Sequence, residues 1–254
     1  MRLHRFYINQ SLSSEKTVRV SPEEGADQWR KVFRFVTGDQ VILFCGDGYD
    51  YLAEIAGYDG DGAIVNVVER RENAITQNTL NSDGTSTARE TWLFMSLVKK
   101  DTFEWITEKA TELGVSHIVP ILATRSEKKN VNTERLARIL IEAVEQSGRA
   151  TLPTLHEPSA LEVSYTEHIE SSASASDQCV IVFDPTGQNF KNFAASVSAQ
   201  APQKIFIFIG PEGGWSPQEL DFFKTKNAAI VSMGSHILRA ETAAVSALTL
   251  VGTL

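Results

Sequence analysis

The residues best suited to chemistry cluster between Phe206 and Leu248, which reads FIFIGPEGGWSPQELDFF and, a few positions on, VSMGSHILRAETAAVSAL. An apolar run, Ile205 to Ile209, stops at Gly210-Pro211-Glu212-Gly213-Gly214, and a second, Ala229 to Met233, stops at Gly234. Glycines at a strand exit let backbone amides come close to a ligand. This is not a phosphate cradle: the chain has no GxxxxGK motif, and at Gly46-Asp47-Gly48 the third glycine of GxGxxG is replaced by Tyr51. The Glu212 carboxylate would repel a phosphate, so a neutral or cationic ligand suits the segment. The competing reading is a tight strand-to-helix turn with no ligand at all.

Other reactive side chains do not assemble into a site. The five histidines (4, 117, 156, 168 and 236) show neither HxH nor HExxH spacing. His117 lies in an apolar strand and reads as a satisfied core residue; His236 reads as lining of the MGSHILR loop. Cys45 and Cys179 are far apart, with no CxxC. That usage predicts a reducing, cytoplasmic setting without a metal site or disulfide framework. No apolar run is long enough to span a bilayer, and MRLHRFYINQ lacks a signal-peptide core.

The elements around the glycines predict an α/β fold with a parallel sheet. Ser216-Pro217-Gln218-Glu219 reads as a helix start, with Ser216 as N-cap and Glu219 closing a capping box. Trp92 to Val98 predicts a strand, followed by a helix over Thr102 to Leu113 with Phe103, Ile106, Ala110 and Leu113 on its stripe. Val115 to Leu122 is the next strand, and Thr124-Arg125-Ser126 lies just past its end. A helix over Asn132 to Gln146, capped by Thr133, ends near Gly148-Arg149. Cys179 to Phe183 is a strand ending in Asp184-Pro185-Thr186-Gly187. Residues 1–70 read differently, as short strands punctuated by Asp-Gly turns, the pattern of a small barrel. A short helix over Asp27 to Arg34 turns Trp29, Val32 and Phe33 inward. The polar stretches Glu69 to Arg89 and Glu167 to Gln178 read as linker and surface loop, with the domain boundary near Arg71. The net charge of −8 counts against nucleic-acid binding as a global property, yet residues 1–36 hold seven cations against four carboxylates.

IGPEGGWSPQE followed by MGSHILRAETAAVSAL closely resembles the signature of the RsmE family, the 16S ribosomal RNA uridine N3-methyltransferases of the SPOUT (trefoil-knot) class. HRF at 4–6 and VFRFVTGDQVILFCGDGYDYLAEI at 32–55 resemble that family's amino-terminal domain, with Gln28 where its members usually carry His. Lys100 (or Lys99), Asp101, Lys109, Glu112 and Gly114 fit a further family pattern, and Glu142 to Arg149 another. The resemblance implies a PUA-like RNA-binding β-barrel over 1–70 and a SPOUT methyltransferase domain over 71–254 with a carboxy-terminal deep trefoil knot. It implies S-adenosyl-L-methionine as cofactor, 16S rRNA of the assembled small subunit as substrate, and a homodimer paired through the knot.

Carried onto this chain, the cofactor pocket comprises Phe183, Ile209, Gly210, Pro211, Glu212, Gly213, Met233, Gly234, Ile237, Leu238, Arg239, Thr242 and Ala243. The catalytic candidates are Arg239, Glu212 and Arg125, and the RNA contacts Arg5, Arg34, Lys100, Arg125 and Arg149. Arg239 either polarises a uracil carbonyl or pairs with Glu241 or Glu212, and Arg149 either complements a helix dipole or contacts RNA. A methyl donor that arrives activated leaves the protein to align the nucleophile and remove the N3 proton. The alternatives are a SPOUT enzyme acting on another base or a ribose, and a non-catalytic RNA-binding module, which an intact pocket with a buried Glu212 disfavours.

Overall fold

The computed structural model describes residues 3–13, 16–73, 75, 89–127, 129–171, 177–197 and 202–254. Parts of both polar stretches, residues 74, 76–88 and 172–176, therefore lie outside the described residues. The chain divides into two compact units, one of Met1–Ser86 with Val144–Leu152, the other of Thr87–Ala143 with Pro153–Leu254.

The first unit is built on a five-stranded sheet. Its strands are β1 (Arg5–Tyr7), β2 (Thr17–Val20), β3 (Gln40–Phe44), β4 (Tyr49–Asp59) and β5 (Gly62–Glu72), in the order β1-β3-β4-β5-β2. The sheet carries β1 and β2 at its two ends, with no pairing between them among the described residues. Gly60, at φ +60°, makes the two-residue turn that joins β4 to β5. Inward residues of every strand meet Trp29 in one apolar cluster. The short helix is α1 (Ala26–Gln28), continuing as a π turn over Trp29–Phe33. Trp29 is fully buried, but Val32 is 66% exposed: the wider turn rotates it away from the core.

The segment Val144–Leu152 belongs to this unit although it lies far along the chain. The Arg5 guanidinium grips Asp50 with two bonds (2.7 and 2.8 Å) and donates to the Arg149 carbonyl at 3.1 Å. The Asn73 amide donates to Asp50 and to the Gly148 carbonyl. Val144 and Ala150 pack on Phe44.

The second unit is a parallel sheet covered on both faces. Its main strands are β6 (Glu90–Ser96), β7 (His117–Leu122), β10 (Gln178–Asn189), β11 (Lys204–Ile209) and β12 (Ala229–Ser232), with short β8 (Thr154–Leu155) and β9 (Ser159–Ala160) on β7. The order is β12-β10-β11-β6-β7-β8, and each pair is parallel. The near-continuous apolar runs WLFM and KIFIFI are what a strand buried on both faces requires. Their period of two is visible in the packing: Leu93, Met95, Ile205, Ile207 and Ile209 enter one cluster, and Trp92, Phe94, Phe206 and Phe208 the other. Helices α2 (Lys100–Glu112) and α7 (Ala240–Val251) pack together over the first face. Helices α4 (Leu161–Tyr165) and α6 (Pro217–Thr225) supply Leu161, Tyr165 and Phe223 to the second. Among the described residues there are also α3 (Thr133–Ser147), α5 (Phe190–Val197) and a π turn over Thr166–Glu170 that continues α4.

Three local expectations give way. Leu113 is 43% exposed, because α2 ends at Glu112 and Gly114 turns the chain at φ +87°. The cap of α3 is Asn132, whose Oδ1 accepts from the Arg135 amide, with Thr133 already inside the helix. Asp184-Pro185-Thr186-Gly187 does not end its strand. Both Phe183 and Gln188 pair with Val231, so the four residues form an outward bulge and β10 continues to Asn189. Within it the Asp184 carboxylate accepts from the Thr186 amide, the turn expected there.

Candidate active site

Three strand exits and one helix start converge on a cavity of about 510 Å³. Phe183 and Asp184 come from β10, Ile209 and Gly210 from β11, Ser232 and Met233 from β12, and Lys99 from the segment after β6. The chain enters the sheet at β6, moves outward through β7, and returns on the other side at β10 and β11. Such a reversal of strand order opens a crevice at the carboxyl ends, where ligands bind in sheets of this kind.

Eleven of the thirteen residues expected around the cofactor line this cavity: Phe183, Ile209, Gly210, Pro211, Glu212, Met233, Gly234, Ile237, Leu238, Arg239 and Ala243. Gly213 and Thr242 do not. Gly213 faces Arg125, whose side-chain carbons would lie 3.2–3.3 Å from a Cβ there, and Thr242 is on the exposed side of α7. The lining also includes Lys99, Asp184, Trp215, Ser232 and Glu241, none of which was singled out from the sequence as a site residue. Trp215 had a signal, an aromatic directly after a glycine pair. Asp184 and Ser232 had none, because the pairing of the bulged β10 with β12 that brings them to one cavity depends on strand register.

The loop between β11 and α6 is held from several sides. Trp215 is 4% exposed; its indole N–H donates to the Phe183 carbonyl at 3.2 Å, and its ring lies where a Gly210 Cβ would meet it at 3.2 Å. Gly214 adopts φ +68°, a left-handed conformation that glycine takes freely. The capping box forms as expected: Ser216 Oγ accepts from the Glu219 amide at 3.2 Å, and Glu219 Oε2 accepts from the Ser216 amide at 2.7 Å.

The charged candidates separate. Glu212 is exposed at the cavity, not buried; the buried carboxylate of this loop is Glu219, 5% exposed. Arg239 is an exposed lining residue at the N-cap of α7 and pairs with neither Glu212 nor Glu241. Arg125 lies outside the lining, its guanidinium donating to the Gly213 carbonyl at 2.7 Å and the Trp215 carbonyl at 3.2 Å. Lys100 leans toward Glu104 at 3.7 Å with most of its side chain in solvent, while Lys99 reaches the cavity.

In the first unit Arg34 is exposed, at φ +57° after the π turn. Arg5 is not available to RNA: its side chain is 8% exposed and committed to Asp50. Arg149 is half-buried, and desolvation pushes its guanidinium down to about 10.

At the opposite, amino-terminal edge of the second sheet, three histidines meet. His117 stacks on Trp92 with centroids 3.5 Å apart, bonds Glu90 through Nε2 at 2.9 Å, and bonds His156 through Nδ1 at 3.1 Å. A carboxylate only accepts, so His117 donates from Nε2; its neutral ring then accepts at Nδ1 from His156 Nε2–H. His117 is thus satisfied, as its place in a strand suggested. Among the described residues no group of three or more His, Cys, Asp or Glu could hold a metal ion, and no helix is long and apolar enough to cross a membrane.

Comparison with known proteins agrees with this architecture. A family model for the RNA methyltransferase domain matches residues 85–252. The ribosomal RNA small subunit methyltransferase E of Aquifex aeolicus is 30% identical over 250 residues, covering 96% of each chain. That of Rickettsia conorii is 28% identical over 250 residues, covering 98% of this chain and 94% of its own. The crystal structure of the Neisseria gonorrhoeae enzyme bound to S-adenosyl methionine aligns with a TM-score of 0.79 at 25% identity, covering 99% of this chain and 98% of that one. This chain belongs to the ribosomal RNA small subunit methyltransferase E family.

Proposed function

We propose that this protein transfers a methyl group from S-adenosyl-L-methionine to N3 of a uridine in the 16S RNA of the small ribosomal subunit. The observation that carries the reading is the cavity at the bulge of β10 and the carboxyl ends of β11 and β12. Its volume lies in the range of small-molecule sites. Its residues fit the cofactor: Ile209, Met233 and Leu238 offer apolar walls for an adenine, and Asp184, Glu212 and Glu241 offer carboxylates to a cationic sulfonium. When bound, the cofactor supplies an already activated methyl group.

The chain's own work is then alignment and charge control. Arg239, at the cavity and without a carboxylate partner among the described residues, stabilises the uracil anion that forms as N3 passes its proton to solvent water. Glu212 favours the cationic donor over its neutral product. Residues 1–70 are read as the PUA-like RNA-binding module and 71–254 as the knotted methyltransferase domain, acting as a homodimer. Arg34 of the first unit and Lys100 of the second, both exposed, are cations proposed to meet RNA phosphates, and Arg149 is a further proposed RNA contact of the first unit.

The test is transfer of radiolabelled methyl to purified unmethylated small subunits, with naked RNA in parallel. Label at one uridine of the assembled subunit supports the reading. Binding of the cofactor without label on either RNA sinks the substrate assignment, and absence of binding sinks the enzyme itself. Arg239→Ala is expected to lower kcat by about a hundredfold or more, as loss of a charge-stabilising group does. Light scattering on the purified protein checks the dimer.

A further inference from the structure

We propose that Arg125 and Glu219 are positioning residues for the cofactor, locking the loop of residues 210–216 to the turn after β7. The inference rests on the cofactor reading of the cavity. Neither side chain lines that cavity. Arg125 comes from the turn and donates through Nη1, which carries two N–H groups, to two loop carbonyls, Gly213 at 2.7 Å and Trp215 at 3.2 Å. Glu219 comes from the loop side and gives each carboxylate oxygen to a backbone amide. Oε2 closes the capping box on Ser216, and Oε1 reaches across to the Thr124 amide at 2.8 Å. The turn thus donates at two adjacent residues, Thr124 and Arg125, and three residues on the loop side accept, Gly213, Trp215 and Glu219. Burial of Glu219 at 5% exposure strengthens its bonds by keeping water from competing.

The latch explains two features of the sequence that catalysis leaves idle. Gly213 lies off the cavity, yet a Cβ there would press on the Cβ and Cδ of Arg125 at 3.2 and 3.3 Å; glycine leaves the arginine its path. A capping box alone needs one oxygen of Glu219, and the second oxygen serves a residue 95 positions away. The mechanical consequence passes through Trp215. Holding its carbonyl fixes the indole that braces Gly210 and the Phe183 carbonyl, and so fixes the walls that β10 and β11 give the cavity. A loop ordered in advance does not subtract its ordering entropy from binding.

The experiment uses the full chain with Arg125→Ala and Arg125→Lys, substitutions at an exposed position that the fold should tolerate. Amide hydrogen exchange of residues 210–216 is measured without cofactor, S-adenosylmethionine affinity by calorimetry, and KM and kcat separately on small subunits. Arg125→Ala should speed exchange in the loop and raise the cofactor Kd about tenfold, the equivalent of about 1.4 kcal/mol and of one lost charge-assisted bond. The kinetic loss should fall on KM for the cofactor. Arg125→Lys should recover part of it, because the ammonium keeps the charge and the N–H donors but loses the rigid planar guanidinium that sets Nη1 between both carbonyls. Glu219→Gln, which keeps one acceptor and loses the other, should also speed exchange. Unchanged exchange and Kd would overturn the latch, as would a loss confined to RNA affinity or kcat, which would make Arg125 a direct substrate contact. If the wild type binds no S-adenosylmethionine, the functional reading fails, and loop exchange still decides the latch.

Discussion

Replacing Gly187 with alanine drives a methyl group into the backbone of β12. The added Cβ would stand 2.4 Å from the Val231 nitrogen, 2.5 Å from the Ile230 carbonyl carbon and 2.6 Å from its oxygen. No flexible side chain is there to yield. The strands must part by about 1 Å, the step from 2.4 Å to the 3.4 Å at which ordinary contact begins. Overpacking of this kind costs about 1–3 kcal/mol. Parting also strips the pairings beyond the bulge, Gln188 with Val231 and Asn189 with Ser232, at about 0.5–1.5 kcal/mol per hydrogen bond. A loss of about 3 kcal/mol lowers the melting temperature of a unit this size by about 6–12 °C. Asp184 and Pro185 on one side of the seam and Ser232 and Met233 on the other line the cavity, so cofactor affinity falls as well. Gly214→Ala is the control: φ is +68° with nothing within 4 Å, leaving only left-handed strain of about 1–2 kcal/mol. Calorimetric melting of both variants, with and without S-adenosylmethionine, is the assay. A Gly187→Ala protein that melts within about 2 °C of wild type would refute the steric argument.

The histidine cluster predicts acid sensitivity. Desolvation, then the neighbouring His168 and His117, push His156 down to about 4, so the unfolded chain takes up this proton from about pH 6.5 downward while the folded protein resists. Stability is therefore full above about pH 6.5 and falls toward pH 4, by on the order of 1 kcal/mol near pH 5 once solvent screening of a half-buried ring is allowed for. His156→Gln should flatten that slope in melting curves, and an unchanged slope would exonerate the cluster. Arg5→Ala should destabilise the first unit by about 3 kcal/mol, because it leaves the Asp50 carboxylate without its countercharge, held by the neutral Asn73 amide. Adding Asp50→Asn should cost less than the sum of the single changes in denaturant titrations. Trp215→Phe keeps the ring but removes the N–H that satisfies Phe183, at about 1 kcal/mol, and should weaken cofactor binding in calorimetry while leaving RNA affinity intact.

What the chain discloses on its face is what local chemistry determines. The alternation in KIFIFI assigns Ile205, Ile207 and Ile209 to one face of the sheet and Phe206 and Phe208 to the other, because period two is a property of the strand itself. The capping box is legible for the same reason, since its partners are three residues apart. The cavity is legible as a run of glycines and apolar residues at strand exits. Long-range pairings leave no such trace: nothing near Thr124 announces that its amide meets Glu219, and nothing near Arg5 announces Asp50. Orientation at element ends is equally hidden. Val32 and Leu113 fit their apolar stripes by spacing, but one sits in a π turn and the other just past the last turn of α2. Glu212 was legible as a motif member, while its exposure depends on how the loop is braced.

The nine residues Val144–Leu152 set an order of events during synthesis. The Arg5 and Asn73 side chains find carbonyl partners at Arg149 and Gly148, so the first unit lacks part of its interior while the ribosome is still translating the β6–α3 region. Domains generally fold amino-terminal first as they emerge. Here the leading sheet must wait, its Phe44 surface uncovered, until Val144 and Ala150 arrive. A nascent chain stalled before that point should remain sensitive to protease in its leading half and gain protection once residue 152 has cleared the exit tunnel. The same dependence means that no single cut of the chain separates the residues of one unit from those of the other.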